Sequence, residues 1–553
     1  MLTVIINWLY MLLIVFCLGY AFSRFSEKTL HYELERVDSI LMAGLVVSTV
    51  YAQIFSLFYR VSIEANVILV LLSVLICVLM GKRMAGFIKG AWKNCSSGYK
   101  IVLLALFLLW GFFTSRGYMV PDMDLYHGQS IRWIEEYGVV EGLGNLHSRF
   151  GYNSSLFALS ALYSMKFLLG HSLHTVNGLI AFLLSVNVLE IRRCFRRGKM
   201  LLSDYARVGA AYYLTTIWDE VIAPSSDYAV MCTIFFVVIK WLARLEAEEE
   251  GKESNIAPYG LLCVLCAYTI TLKLSAGLIL IFILKPAYVL LKEKRWKEIG
   301  IYLLLGLLTA VPWMVRTVLI TGWLLYPFAS LDLFSVDWKM MNLGEIRTDA
   351  AQIEIWAKGA NDLGMDAPFG LWFPNWFRNE LSATEKLLVL ADMVSCVVTV
   401  GIGVATIIRK QWQKLDMLLV LGTVMCCYLF WQFSAPMMRY GYAHVLLLAA
   451  LVCGFVLEKL KLARIGYVVL LLYGVYKLYV GYDYVLGCCQ LPNYVWQETY
   501  GQYELESYDL DGVKIYYSPS GGWVGYDLFP AIPMPEYEIE LRGDGLEDGF
   551  RQR

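Results

Sequence analysis

Along the chain, long apolar runs alternate with short polar connections, and a run of about 20 apolar residues is enough to cross a bilayer as a helix. Such runs fall at roughly 2–22, 38–58, 64–83 and 100–118, then at 172–191, 205–223, 226–244, 258–273, 275–291 and 299–319, and finally at 384–408, 414–433, 440–458 and 463–481. The pattern predicts an all-α polytopic membrane protein with about 14 membrane helices. Basic residues in short connections collect on the cytoplasmic side. Lys82, Arg83, Lys89, Lys93 and Lys100 therefore face inward, as do the arginine-rich 192–199 connection, Lys292 to Lys297, and Arg409, Lys410 and Lys414. The segment 259–291 is too long for one crossing and short for two. Consistent counting between the basic connections on either side requires two, with Lys273 at their outer turn.

Six regions result: N-terminal membrane helices (1–118), an external loop with amphipathic helices (119–171), central membrane helices (172–320), a second external loop (321–383), C-terminal membrane helices (384–481) and a small external extension (482–553). The second loop contains WAKGANDLGMDAPFGLWFPNWF, whose Trp and Phe residues suit a membrane interface or the rim of a binding cleft. In the extension, alternating VKIYY bounded by Asp-Gly and Pro-Ser-Gly-Gly predicts a small β-hairpin packed on the membrane part, with frayed residues from Arg542 onward.

Composition narrows the class. With 58% apolar and 15% aromatic residues, a soluble multidomain protein is excluded, and a net charge of −1 without a basic domain argues against nucleic acid as a partner. The first apolar run lacks a basic flank and a small-residue cleavage site, so it is expected to be a span rather than a removable signal. Cys263 and Cys266 form a Cys-x-x-Cys pair without a second pair or a His, which favours apolar packing over zinc, and Cys488 and Cys489 near the last run could be redox-active.

The chemistry concentrates in MVPDMDLYHGQSIRWIEEYGVVEGLGNLHSRFGYNSS, 119–155, a polar loop held against a bilayer, where ionisable groups usually mark function. Asp122 and Asp124 follow Pro121. On an extended backbone two carboxylates at i and i+2 point to one side, so one could act as general base toward a hydroxyl while the other binds a cation or polarises a neighbour. Helix capping by one Asp is the simpler alternative. His127 stands one turn after Asp124, within reach of it. Asn145, His147, Arg149 and Asn153 follow the chain-breaking Gly138, Gly142 and Gly144, and they could line a sugar or phosphate pocket or form a solvated turn. Lys273, Arg316 and Arg439 each fall near the outer end of a span. Together they would hold a phosphate through charge-assisted bonds, whereas any one alone could snorkel to the interface. Asp227 could pair with Lys273 or complete a metal site, and for Asp219 and Glu220 a structural ion pair is expected.

DMDLYHGQSIRWIEEYGVVEGL, with an Asp-x-x-x-Tyr-His signature, resembles the first large external loop of the GT-C-fold integral membrane glycosyltransferases, in particular uncharacterised bacterial members. APSSDYAVM is similar to their Ser-x-x-Asp turn, TLKLSAGLIL to their Lys-containing helical hairpin and SAPMMRYGY to their Pro-x-x-Arg-Tyr turn, so the likeness runs from Pro121 to Tyr442. The resemblance implies a GT-C-like helical bundle in a bacterial plasma membrane, with its active site on the external face. It further implies transfer of a sugar from a polyprenyl-phosphate or pyrophosphate donor to a glycan or lipid acceptor. Asp122 would be the base, Asp124 and Asp227 its acidic companions, Lys273 and Arg439 the lipid-phosphate ligands, and Tyr126, His127 and Tyr440 substrate contacts. A divalent metal, if one is used, would fall to Asp122, Asp124 and Asp227. The chain departs from the pattern in having three extra runs before the loop and in lacking the Asp-Glu pair of protein mannosyltransferases. A transporter or lipid flippase, or a polysaccharide polymerase or ligase, are the alternatives.

Overall fold

The computed structural model describes all residues except 118, 252–254, 329, 342, 362–366, 461–467, 469–471, 477–478, 483–485 and 487–493, and the side chains of 343 and 345. Helices dominate. Among the described residues ten are long and apolar enough to cross a membrane: Leu2–Leu30, Val37–Ser56, Ile63–Lys93, Ser97–Ser115, Ser226–Glu249, Leu274–Lys292, Trp296–Thr321, Ala383–Ile408, Trp412–Ser434 and Met438–Lys459.

That is fewer than the fourteen runs in the sequence, and the reason is burial. The runs at 172–191 and 205–223 fold as the 13-residue helices Val176–Val188 and Leu202–Leu214, most of whose residues are enclosed by other helices. A helix surrounded by protein need not match the thickness of the hydrocarbon. The run at 258–273 is a short apolar helix, Ala257–Leu272, and it breaks at Lys273 before a tightly wound 3₁₀ stretch, Leu274–Ile283. The run at 463–481 and the pair Cys488 and Cys489 lie largely or wholly outside the described residues.

The first two helices form a closely crossed pair. A Cβ on Gly19 would stand 1.9 Å from the carbonyl oxygen of Ile40, and one on Gly44 would stand 1.8 Å from that of Val15. Only residues without a side chain let two helix backbones approach this far, the usual device of helix pairs in lipid.

One end of the bundle gathers the two long loops. Val61 N–H donates to the Ile134 carbonyl at 2.9 Å, and Gly142 N–H donates to the Leu319 carbonyl at 2.8 Å, so the 119–155 loop is stitched to the ends of two membrane helices. The second loop supplies the helices Leu343–Ala357 and Phe369–Asn379, and Trp376 Nε1 donates to the Pro436 carbonyl at 3.0 Å.

The extension docks on the same end. Strands β1 (Glu506–Leu510) and β2 (Val513–Tyr517) form the expected hairpin, turning at Asp511 and Gly512 with φ of 52° and 90°, as a tight two-residue turn requires. Strand β3 (Ala531–Ile532) adds parallel to β2, and β4 (Ile539–Leu541) pairs antiparallel with β5 (Phe550–Gln552). Ile515, Ile532, Ile539 and Phe550 share a small core with Trp133, Val140 and Leu143 of the loop. The expectation that the chain frays from Arg542 is overturned. Arg542 pairs with Glu141 and, at 2.9 Å, with Asp337, while Phe550 N–H donates to the Glu141 carbonyl at 2.9 Å. Burial of Phe550 and these charges anchor the last residues.

Candidate active site

The backbone at Asp122 is helical rather than extended, with φ −60° and ψ −24°, and it leads into a π-wound turn, Met123–His127, that runs on into the helix Gly128–Glu136. In a helix, residues two apart diverge by roughly 200°. Asp122 and Asp124 therefore look in opposite directions, and the pairing read from their spacing does not form. Asp124 turns to the extension: Gly501 N–H donates to Oδ1 at 3.0 Å and the Tyr503 hydroxyl to Oδ2 at 2.8 Å. Its carbonyl accepts the amides of Val524 and Gly525, each at 2.9 Å. Burial raises its carboxyl above the ordinary value, and the Tyr503 and Gly501 bonds offset this only in part. Asp124 is a structural anchor.

Asp122 faces the membrane helices. Its Oδ2 accepts from Arg439 Nη2 at 2.8 Å, and Arg149 Nη1 stands 3.8 Å from Oδ1. Burial works against its ionisation, but the positive field of Arg439 and Arg149, with His127 when protonated, outweighs it and holds the carboxyl below its usual value. The π winding, with one residue more per turn than an α-helix, sets i and i+5 near each other, which brings His127 under the influence of Asp122 rather than Asp124. His127 is buried with Nδ1 unpartnered among the described residues, and burial lowers its pKa to about 4 despite the nearby Asp122 and Asp227. The Tyr126 ring lies 4.4 Å from that of His127 and 5.8 Å from the Arg149 guanidinium.

Three other segments complete the cluster. Asp227 occupies the first turn of Ser226–Glu249, behind the capping Ser225. Lys273 sits in the extended break after Ala257–Leu272, its ammonium paired with Asp227 Oδ1 and 3.7 Å from the centre of the Tyr440 ring. Arg439 is the second residue of Met438–Lys459. Its Nε lies 3.1 Å from Asp227 Oδ2 and its Nη2 donates to the Tyr440 hydroxyl at 3.3 Å, so the one guanidinium bridges Asp122 and Asp227. Arg149 also meets Asp349 of the second loop at 3.6 Å, and Tyr152 donates to that carboxylate at 2.8 Å.

The remaining expected residues do other work. Asn145 Nδ2 donates to the Trp338 carbonyl at 2.8 Å, tying the two long loops together. Asn153 Oδ1 accepts from Arg316 Nε at 3.2 Å, and Arg316 also donates to Ser56. This pair fastens the loop to the helix Trp296–Thr321 and lies apart from Asp122 because Arg316 faces the neighbouring Val37–Ser56 helix. Asp122, Asp124 and Asp227 do not converge as ligands, and among the described residues no three His, Cys, Asp or Glu side chains form a metal-holding group. Cys263 and Cys266 are buried free thiols.

Beside Arg439 opens a cavity of about 300 Å³ between the ends of the membrane helices and the second loop. Glu220 lines it rather than forming an ion pair with Lys273, and it accepts a 2.7 Å bond from Tyr228. Glu380, Glu385, Trp356 and Trp376 line it as well. Trp356 also lies 5.8 Å from the Arg149 guanidinium, linking cavity and charge cluster. The Trp-rich stretch of the second loop, expected as a membrane interface or the rim of a binding cleft, supplies Trp356 and Trp376, whereas Glu380 and Glu385 were not singled out in the sequence.

Residues 1–446 match a family described as a domain of unknown function, DUF8201. The chain belongs to the DUF8201 family. The matched stretch of this DUF8201 protein contains Asp122, Asp227, Lys273, Arg439 and every residue lining the cavity, whereas Gly501 and Tyr503, which hold Asp124, lie beyond it. No curated protein and no solved structure matches the chain.

Proposed function

We propose that this DUF8201 protein is a GT-C-like glycosyltransferase of a bacterial plasma membrane, moving a sugar from a polyprenyl-phosphate or pyrophosphate donor to an acceptor on the external face. The observation that supports this most is the meeting of Asp122, Asp227, Lys273 and Arg439, from four distant segments, beside a cavity lined by aromatic rings and carboxylates. Without substrate the two cations are neutralised by the two acids. A lipid phosphate at the rim would draw Lys273 and Arg439 onto its oxygens and loosen their hold on Asp122.

The chemistry then balances simply. The acceptor hydroxyl oxygen bonds to the anomeric carbon as the bond from that carbon to the phosphate oxygen breaks. The bonding pair leaves with the phosphate, stabilised by Lys273 and Arg439, and the hydroxyl proton passes to Asp122. Charge stabilisation of the leaving phosphate carries much of the rate effect.

A transporter reading draws on Asp392, buried in the helix Ala383–Ile408 with no hydrogen-bond partner on either carboxylate oxygen among the described residues. Buried acids of that kind often lie on ion paths. One experiment separates the two. The full chain in nanodiscs is given polyprenyl-phosphate hexose with a labelled sugar, and release of unlabelled polyprenyl phosphate together with a labelled product is expected. A donor that is neither bound nor consumed, with Asp392-dependent solute uptake into proteoliposomes, would replace the transferase with the transporter.

A further inference from the structure

The cavity beside Arg439 has a chemistry of its own. Of its charged lining groups three are carboxylates, Glu220, Glu380 and Glu385, and the fourth, Arg439, is already paired with Asp122 and Asp227. An ionised carboxylate only accepts hydrogen bonds, so an occupant must bring donors, and a negatively charged occupant is repelled. The walls between the acids are aromatic: Tyr213, Tyr228 and Tyr442 from the membrane helices, Trp356 and Trp376 from the second loop.

Two of the acids, Glu385 and Glu220, are held in place before any ligand arrives. Glu385 takes the Tyr442 hydroxyl at 2.8 Å on one oxygen and the Ser382 N–H at 2.8 Å on the other, within a reciprocal cap at the start of Ala383–Ile408. Glu220 takes Tyr228 on Oε2, which leaves Oε1 to a ligand. The volume, about 300 Å³, falls at the small end of ligand pockets. Its apolar wall, which includes Leu381, Met437 and Met438, is interrupted by the three glutamates and the tyrosine hydroxyls, whereas a lipid chain needs a continuous apolar surface.

We infer that this cavity is the acceptor subsite and that it holds a sugar ring that is neutral or bears an amine, not an acidic sugar. A pyranose has an apolar C–H face to lie against the exposed Trp356 and a rim of hydroxyls to donate to the glutamates, with charge-assisted strength. Arg439, shared by the cavity wall and the charge cluster, sets one edge of the ring toward Asp122. The negative wall also sorts the substrates, turning the donor phosphate away from the cavity and toward Lys273. The binding of a sugar here stands without the transferase reading; the role of acceptor rests on it.

The test keeps the two apart. The full chain in detergent is titrated with the methyl glycosides of glucose, glucosamine and glucuronic acid and with an octyl alcohol, reading tryptophan fluorescence. Saturable quenching by glucose or glucosamine is expected, with glucuronic acid at least tenfold weaker. Trp356 is 43% exposed, so Trp356→Ala should fold normally and lose most of the response. Glu220→Gln should weaken sugar binding about tenfold while leaving the affinity for a polyprenyl-phosphate donor unchanged. A preference for glucuronic acid, saturation by the octyl alcohol alone, or sugar binding untouched by both substitutions would overturn the subsite. If sugars bind as described but no donor is consumed, the subsite stands and the transferase falls.

Discussion

Among the described residues a buried ionic network stands at each end of the helices. At the end away from the loops, Asp38 is held by Arg36 at 3.0 Å, Lys240 at 2.7 Å and the Ser39 N–H at 3.0 Å, while Asp204 takes Arg207 at 2.9 Å and the Leu201 N–H at 3.0 Å. Backbone amides and cations together satisfy these acids. At the other end Asp122 and Asp227 are held by cations, and among the described residues no backbone amide donates to either carboxylate. Only this second network adjoins the Arg439 cavity. A network tied to the backbone can serve only as a brace. One made of side chains alone can release its partners to a ligand.

The sharpest way to break this comparison is to neutralise one acid in each. Asp122→Asn should lower sugar transfer by about 10²–10⁴-fold, the range for loss of a general base, with an unchanged unfolding midpoint in detergent. Asp38→Asn should do the reverse. Leaving a buried cation short of its partner costs about 3–5 kcal/mol, so yield and unfolding midpoint should drop while turnover per folded molecule persists. Equal losses of stability in the two variants would erase the distinction. Arg439→Ala comes next, with donor affinity expected to fall tenfold or more in nanodisc binding, because Lys273 alone would face the phosphate. Unchanged affinity would remove Arg439 from the donor site.

Protonation gives a smaller effect of defined sign. Asp122 is held below the ordinary carboxylate range, so transfer should persist through mildly acidic pH and fail only below the range where free carboxylates protonate. His127 at about 4 and His174 at about 3 are buried and neutral, both depressed from 6.5 by burial. Unfolded chains bind these protons first. The stability that depends on neutral imidazoles is thus fully present above pH 6.5 and declines as pH falls toward 4 and 3. Unfolding midpoints measured across that window should fall, and His174→Gln should flatten the slope. Smallest of all, Asp124→Asn weakens the bond from Tyr503, worth about 1 kcal/mol. It should speed proteolysis of the extension and leave transfer within a few-fold of wild type.

The network around Arg439 was largely legible because Lys273 and Arg439 stand where orientation rules disfavour a cation, and Asp227 stands two residues after a capping serine. What escaped depended on winding or on distant partners. Asp124 was paired with Asp122 on the premise of extended backbone, and about half a helical turn separates them. Arg316 carries the same outward signature as Arg439, yet its helix turns it toward Ser56. Glu220 and Glu385, about 165 positions apart, become neighbours only when the second loop folds over the helix ends, a relation no local pattern encodes. Phe550 looked like a tail residue because its partner strand and the Trp133 pocket lie elsewhere in the chain.

The π-wound turn at Met123–His127 is gripped from both sides, by Arg439 just ahead of it through Asp122 and by the C-terminal extension within it through Asp124. It therefore works as an axle between two bodies. A pull on the extension would reach the turn through Asp124 and, within two residues, the carboxylate of Asp122.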